Sequence, residues 1–158
     1  MIYVVDASVV MKWLVPEQDS IKAAEVMRHP VVAPDLLIPE CLYGLWKKVV
    51  HRNLPPEAAL TAVQLLERTG ITLEPMQRMA KATMALSLRL SHPAYDCMYL
   101  VLTQELGGEL ITADDKLIAR CRQADAANLS LRVRALRDFT PMIQERFPRP
   151  YMVRRRAA

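Results

Sequence analysis

The sequence predicts an α/β protein with three layers: a central, mainly parallel sheet of about five strands and helices on both of its faces. Short β-branched apolar runs alternate along the chain with longer segments of helical periodicity, the pattern of successive βαβ units. The chain has 158 residues, enough to bury a core of its own as one domain. Apolar residues make up 52% and charged residues 24%, which excludes a disordered or fibrous chain.

Five short apolar segments are predicted to form the strands. Strands that are buried on both faces of a parallel sheet are near-continuous apolar runs rather than alternating ones. In chain order the segments are 2–5 (IYVV), 31–32 (VV), 71–73 (ITL), 109–112 (ELIT) and 133–136 (VRAL).

Seven segments carry the helical pattern. They are 8–14, 20–28, 39–51, 55–68, 75–90, 94–106 and 114–122. Pro39 suits the first turn of a helix, where a missing N–H costs nothing, and Ser20 is a candidate N-cap. Gly70 and Gly107-Gly108 are expected to end the helices that precede them.

Two of these helices have apolar residues at helical spacing, so each set is expected to share one face. The helix beginning at Pro39 is expected to place Leu42, Leu45, Trp46, Val49 and Val50 on one face, with Trp46 in the core or at an interface. The helix over 75–90 is expected to pack Met76, Met79, Ala80, Met84 and Leu88 into the core or a dimer interface. The three cysteines lie inside apolar helices and are expected to be small buried hydrophobes.

Charge is distributed unevenly along the chain, although the net charge is only +4. Residues 1–115 carry 10 Lys/Arg and 14 Asp/Glu, whereas residues 116–158 carry 11 and 3. We therefore divide the chain into a domain over 1–140 and a basic tail over 141–158. The acidic N-terminal part suits the binding of cations, and the basic C-terminal part suits the binding of a polyanion. A solvated tail would have the same basic composition.

Location is predicted from what the sequence lacks. No basic segment followed by a long apolar run opens the chain, and no apolar run approaches the roughly 18 residues of a membrane span. Three widely spaced cysteines without CxxC fit a reducing compartment rather than a disulfide framework. We expect a cytoplasmic protein without a membrane segment.

Four acidic residues stand at predicted helix starts. Asp6 follows the first strand, Glu40 follows Pro39, Asp96 lies in the first turn of the helix over 94–106, and Asp114 follows ELIT. Any one of them has an ordinary explanation, because acids are favoured at helix N-termini. In a parallel sheet, however, such helix starts share one edge, so the four carboxylates would meet in one cleft.

A converging set of carboxylates predicts a metal site. Hard oxygen ligands suit Mg²⁺ or Mn²⁺, and carboxylate-bound metal of this kind serves phosphoryl chemistry. Ser8 and Thr112 each lie two residues from one of the acids, and their hydroxyls could orient a water or a carboxylate, or simply cap a helix. His29, His51 and His92 lack metal-ligand spacing and are expected at the surface or at caps.

Three segments together resemble the PIN-domain ribonucleases, and within them the VapC toxins of toxin–antitoxin pairs. The segments are VVDASVVMKWLVPE (4–17), APDLLIPECLYGLWK (33–47) and AYDCMYLVLTQELGGELITADDKL (94–117). The resemblance covers roughly residues 2–138 and makes the domain over 1–140 a PIN-like nuclease domain.

The resemblance implies a site, an activity and partners. Asp6, Glu40, Asp96 and Asp114 would be the catalytic acids, with Asp6, Asp96 and Asp114 holding Mg²⁺ or Mn²⁺; Asp115 is adjacent, but TAD fits the family's TxD at Asp114. It implies hydrolysis of RNA to a 5′-phosphate and a 3′-hydroxyl. It also implies a homodimer and a cognate antitoxin that occupies the cleft.

The remaining candidates concern RNA contacts. Arg154, Arg155 and Arg156 in the tail are candidate phosphate contacts, and a flexible solubilising end is the plainer interpretation. Tyr95 and Tyr99 are expected to pack, although Tyr95 could stack on a base.

Two alternative functions remain open at this point. An aspartyl-nucleophile phosphohydrolase or a receiver domain fits poorly, because Asp6-Ala7-Ser8 is not DxD and ITL is followed by Glu74-Pro75. An RNA-binding PIN-like module without catalysis would be favoured by the loss of an acid, yet all four acids are present.

Overall fold

The structure is a computed structural model that describes residues 1–123 and 132–140. Its strands are β1 (Tyr3–Val5), β2 (Val31–Pro34), β3 (Thr72–Glu74), β4 (Glu109–Thr112) and β5 (Val133–Ala135). They form one five-stranded sheet in the order β3-β2-β1-β4-β5, and every neighbouring pair is parallel. The predicted sheet is therefore confirmed, each strand within a residue or two of its expected place.

Seven α-helices occur in the described part of the chain. They are α1 (Ala7–Leu14), α2 (Ser20–Val26), α3 (Leu37–Val50), α4 (Pro56–Leu66), α5 (Ala80–Leu90), α6 (Ala94–Leu106) and α7 (Asp115–Gln123). Right-handed crossovers place α1–α4 on one face of the sheet and α5–α7 on the other. Contacts agree with this division, since α1 packs against α2, α3 and α4, while α5 packs against α6. The predicted three-layer arrangement is confirmed.

Several helix boundaries differ from the prediction for local reasons. Helix α3 begins two residues before Pro39, and a proline in the first turn removes no intrahelical hydrogen bond. Residues Met76–Met79 form a 3₁₀ turn before α5 begins at Ala80. Ser20 is the first residue of α2 rather than its N-cap, and its hydroxyl accepts the Glu17 N–H at 2.8 Å.

The apolar residues predicted to share one face of α3 differ in their burial, and Trp46 does not lie in the core. Leu45 is buried together with Leu37 and Cys41, whereas Leu42, Trp46 and Val50 are exposed. The apolar residues of α3 cover more than half of its circumference, so periodicity alone could not say which side meets the sheet. Helix α3 consequently carries an exposed strip of large apolar side chains.

The apolar residues over 75–90, predicted to lie in the core or a dimer interface, are divided in the same way, and for the exposed ones the dimer interface stays a prediction. Met79 is fully buried, but Met84 and Leu88 are exposed on α5. The prediction for the cysteines is confirmed, because Cys41, Cys97 and Cys121 are all buried and none forms a disulfide. Within residues 1–123 and 132–140, no helix is both long and apolar enough to cross a membrane.

The centre of the sheet determines where a ligand can bind. Val4 and Val5 of β1 pair with Leu110 and Ile111 of β4, and all four side chains are buried. The chain leaves β1 toward β2 on one side and reaches β5 from β4 on the other, so the strand order reverses between β1 and β4. The crevice beyond the carboxyl ends of these two strands is the usual ligand site of such sheets.

Candidate active site

Asp6 lies at the floor of this crevice and is held by side chains from both of its walls. Its Oδ1 accepts the Ser8 hydroxyl at 2.5 Å and the Val9 N–H at 3.2 Å. Its Oδ2 accepts the Thr112 hydroxyl at 2.5 Å. The backbone of Asp6 is extended, and its side chain caps α1, so this acid has a structural role as well as a place in the crevice.

Ser8 and Thr112 are themselves oriented by the turn that follows β4. The Ser8 hydroxyl accepts the Ala113 N–H at 2.8 Å, and the Thr112 hydroxyl accepts the Asp114 N–H at 2.9 Å. Each hydroxyl therefore donates to Asp6 and accepts from the backbone, which fixes the direction of its proton. The network joins the β1–α1 turn to the β4–α7 turn.

Burial makes Asp6 an unusual carboxyl group. Only 7% of the residue is exposed, and loss of solvation raises the pKa of Asp6 to about 6 despite the hydrogen bonds from Ser8, Thr112 and Val9. The nearby charge of Asp114 raises this pKa further. At neutral pH the Asp6 carboxyl is ionised, and the burial of this charge lowers the stability of the folded protein. A bound cation would offset that loss of stability.

Glu40 reaches the crevice from the first turn of α3. The buried Tyr99 hydroxyl donates to Glu40 Oε2 at 2.5 Å. Burial raises the pKa of Glu40, the Tyr99 hydrogen bond lowers it, and the charges of Asp6 and Asp96 raise it again. Burial, followed by the charge of Glu40, raises the pKa of the Tyr99 phenol far above its usual range, so Tyr99 acts as a permanent donor.

Asp96 lies in the first turn of α6, one turn before Tyr99 on the same helix. His92 Nε2 is 2.8 Å from Asp96 Oδ2, an ion pair whenever the imidazole is protonated. The Nε2 atom is buried and makes no well-aligned hydrogen bond, so we treat this contact as electrostatic. Burial raises the pKa of Asp96, His92 lowers it, and the charge of Asp114 raises it.

The structure distinguishes Asp114 from Asp115. Asp114 Oδ1 caps α7 by accepting the N–H groups of Lys116 at 2.8 Å and Leu117 at 3.2 Å, and the charge of Asp114 acts on both Asp6 and Asp96. Asp115 is exposed and pairs with Arg137 Nη1 at 2.5 Å. Asp114 therefore belongs to the cluster.

All four predicted acids are thus brought together at one edge of the sheet. Burial raises the pKa values of Asp6, Glu40 and Asp96, and the charges of neighbouring acids in the cluster raise them further. In the described ranges, no three His, Cys, Asp or Glu side chains already surround a point as metal ligands would. The reason lies in the local partners, since Glu40 is turned toward Tyr99, Asp96 toward His92 and Asp114 toward the α7 N-terminus.

The donor set nevertheless fits a hard divalent cation. Four carboxylates supply oxygen ligands, and each retains oxygen lone pairs beyond its present hydrogen bonds. A bound cation would also offset the two causes of the raised pKa values, the burial of the carboxylates and the repulsion between their charges. Binding of Mg²⁺ or Mn²⁺ by these carboxylates stays a prediction.

The other candidate residues have different outcomes. Ser8 and Thr112 lie against the Asp6 carboxylate, where they orient that group, while their contact with a substrate stays a prediction. Tyr95 is exposed beside the crevice. Arg154, Arg155 and Arg156 lie outside the described residues, as does the whole segment 141–158, so the predicted domain boundary and RNA contacts stay predictions.

Two residues of the site were assigned other roles from the sequence. Tyr99 was expected to pack, but its hydroxyl holds Glu40. His92 was expected at the surface or at a cap, but it contacts Asp96. The sequence held a signal for Tyr99, which lies three residues after Asp96 on the same side of α6. His92 precedes the helix, so helical spacing could not have placed it beside Asp96.

Fold and site together define a class: a three-layer α/β domain with a carboxylate cluster at the switch point of its parallel sheet. Comparison with known proteins gives the family. The model of the PIN domain matches residues 3–123, and the chain belongs to this family.

Individual relatives agree with this assignment. Ribonuclease VapC3 from Pyrobaculum aerophilum is 28% identical over 118 residues, which are 72% of this chain and 90% of that protein. The crystal structure of PAE2754 from the same organism matches with a TM-score of 0.58 at 23% identity, over 82% of this chain and 93% of that one. VapC20 of Mycobacterium tuberculosis, a toxin that cleaves the sarcin-ricin loop, matches with a TM-score of 0.58 at 13% identity, over 74% and 93%. At these identities the two structures support the fold alone.

Proposed function

We propose that this protein is a metal-dependent endoribonuclease that hydrolyses RNA phosphodiester bonds and acts as the toxin of a toxin–antitoxin pair. One observation carries the proposal: four acids from four separate segments meet at the switch point of the sheet, where burial, together with the charges of neighbouring acids, raises the pKa values of Asp6, Glu40 and Asp96. The similarity to a ribonuclease, VapC3, over most of both chains supports RNA as the substrate.

Asp6, Asp96 and Asp114 are the residues that would hold Mg²⁺ or Mn²⁺. When bound, such a cation lowers the pKa of a water and offsets charge on phosphate oxygens. Ser8 and Thr112 would keep the Asp6 carboxylate in one orientation during binding, because both of its oxygens are tied to the protein. Such support of a ligand by its neighbours typically raises metal affinity about 10–100-fold.

Glu40 would accept the proton of the attacking water. Its Oε2 accepts the Tyr99 hydrogen bond, and Oε1 would be the oxygen that takes this proton. A raised pKa makes this carboxylate a better base than an exposed glutamate, because the base strength rises with pKa. Tyr99 would hold Glu40 in place during this transfer.

The partners we propose are an RNA substrate, a cognate antitoxin and a second copy of the chain in a homodimer. The VapC resemblance implies all three, and exposed apolar side chains on the described helices support protein partners. Met84 and Leu88 of α5 and Ile21 of α2 are examples of large apolar side chains left in solvent.

The test is cleavage of bacterial RNA by the purified, antitoxin-free protein in Mn²⁺, in Mg²⁺ and in EDTA. Asp96→Asn preserves the shape of the side chain and removes the charge that would hold metal. Asp115→Asn is the matched control. It makes the same change at the aspartate next to Asp114, which lies outside the cluster and pairs with Arg137. We expect metal-dependent cleavage that is lost in Asp96→Asn and retained in Asp115→Asn.

Other outcomes would contradict the proposal in distinct ways. Cleavage that survives Asp96→Asn would come from a contaminant or another site. RNA binding without cleavage in either metal would favour the RNA-binding module without catalysis. Equal loss in the two variants would mean that the cluster has no special role.

A further inference from the structure

Helix α3 continues from the candidate site as a surface of unusual composition. Glu40, Tyr43 and Lys47 follow one another at three- and four-residue intervals, so they lie along one stripe of the helix. Tyr43 is 60% exposed and Trp46 56% exposed, and their rings stack with centroids 5.6 Å apart at 26°. Lys47 Nζ lies 5.8 Å from the centroid of the Tyr43 ring.

A shallow, mainly apolar depression with polar side chains among its lining residues adjoins this stripe on the side of α1. It has a volume of about 310 Å³, and Lys47, Lys48, His51 and Asn53 line it together with Met11 and Gly44. Helices α1 and α3 are in close contact here, because a Cβ on Gly44 would come within 3.1 Å of Met11 Sδ. The depression thus begins about one turn beyond Glu40 and carries two lysines.

We propose that this α3 track (Tyr43, Trp46, Lys47 and the adjoining depression) binds the single-stranded RNA that flanks the bond to be cut. The inference rests on the proposed nuclease function and adds to it the path of the substrate. Tyr43 and Trp46 would stack on bases, and Lys47 would contact phosphate. Stacking tolerates any base, so the track would supply affinity and position rather than sequence choice.

Position and side-chain chemistry favour RNA over an apolar protein segment as the occupant. The stripe starts at Glu40 in the candidate site, and Lys47 accompanies its exposed aromatic pair, while the neighbouring Lys48 is paired with Glu17. A helix rises about 1.5 Å per residue, which puts Tyr43 and Trp46 about 4.5 and 9 Å along the axis from Glu40. Bases bound by these two rings would therefore lie close to the bond that is to be cut.

The test measures RNA affinity apart from cleavage. The full chain carrying Asp96→Asn, which should not cut, is titrated in Mg²⁺ against a fluorescein-labelled single-stranded RNA of about 12 nucleotides at several salt concentrations. Added to that parent, Tyr43→Ala should weaken binding at least about fivefold, and Tyr43→Phe, which keeps the aromatic face, should restore it. Lys47→Ala should lower the slope of log affinity against log salt by about 0.7, the value of one phosphate contact with a single strand.

Lys81→Ala is the matched control, because Lys81 is an exposed lysine on α5 in the opposite layer. Unchanged affinity in Tyr43→Ala and an unchanged slope in Lys47→Ala, with a parent that binds RNA, would overturn the track and leave the nuclease proposal standing. A parent that binds no RNA would overturn both. A fall in molecular mass in Tyr43→Ala that accounts for the lost affinity would also overturn the track, because the surface would then join copies of the chain. Thermal melting confirms that each variant is folded.

Discussion

The cost of ionising Asp6 leads to a prediction about stability that does not depend on knowing the RNA. The folded carboxyl keeps its proton up to about pH 6, whereas the ordinary pKa is 3.8. The folded state therefore binds more protons than the unfolded state between these values, and the free energy of unfolding falls as the pH rises through that window. At about 1.4 kcal/mol per pH unit, the penalty at pH 7 is about 3 kcal/mol.

Asp6→Asn should remove most of this penalty in EDTA. The amide oxygen can still accept from Ser8 and Val9, and the amide nitrogen can donate to the Thr112 hydroxyl once that group turns. Because the new arrangement loses charge-assisted hydrogen bonds, we expect a gain of about 1–3 kcal/mol at pH 7. The gain should shrink toward zero near pH 4.

Urea denaturation followed by circular dichroism at pH 4, 5, 6 and 7 measures this directly. Asp115→Asn is the control, and its effect should stay within about 0.5 kcal/mol because the residue is exposed. Mn²⁺ should then stabilise the unsubstituted protein more than Asp6→Asn, since a ligand of the folded state raises its stability. A variant that is no more stable than its parent at pH 7, with a difference that does not vary with pH, would refute the reasoning.

Three further predictions concern metal and RNA. Apparent Mn²⁺ affinity, measured by calorimetry, should fall about tenfold per pH unit below pH 6, because metal must then displace the Asp6 proton; a flat profile would contradict this. Tyr99→Phe should weaken cleavage about 10-fold by releasing Glu40 and leave RNA affinity in the absence of cleavage unchanged, and undiminished cleavage would contradict the role given to Tyr99. Removal of residues 148–158 should weaken RNA binding and flatten its salt dependence, and unchanged binding across a salt titration would speak against a role for the tail arginines.

The sheet and the acids were predictable because each depends on local chemistry. The runs IYVV and ELIT became β1 and β4 since only strands buried on both faces tolerate such continuous apolar sequence. Asp6 and Asp114 were identifiable because both cap helices that follow strands, and parallel pairing then brings those helix starts to one edge. Local preference and global topology agreed at these positions.

Other features depend on tertiary contacts between residues that are distant in the chain, and these contacts could not be predicted from a single sequence. Whether Tyr99 packs or donates is decided by Glu40, which lies 59 residues earlier in the chain. The choice between Asp114 and Asp115 depends on which side chain faces Arg137. The exposed side of α3 depends on where the sheet lies, because Trp46 and Leu45 are equally apolar neighbours and only one is buried.

The hydrogen bond between Thr112 and Asp6 joins residues that are 106 positions apart. During synthesis the chain must be extended beyond Thr112 before β4 can pair with β1, and until then Asp6 has neither Thr112 nor Asp114 beside it. Such distant pairing forms late in folding, because a long loop must close first. A nuclease built in this way would be assembled on a ribosome without its cutting site, and would acquire that site only when most of the domain had been made.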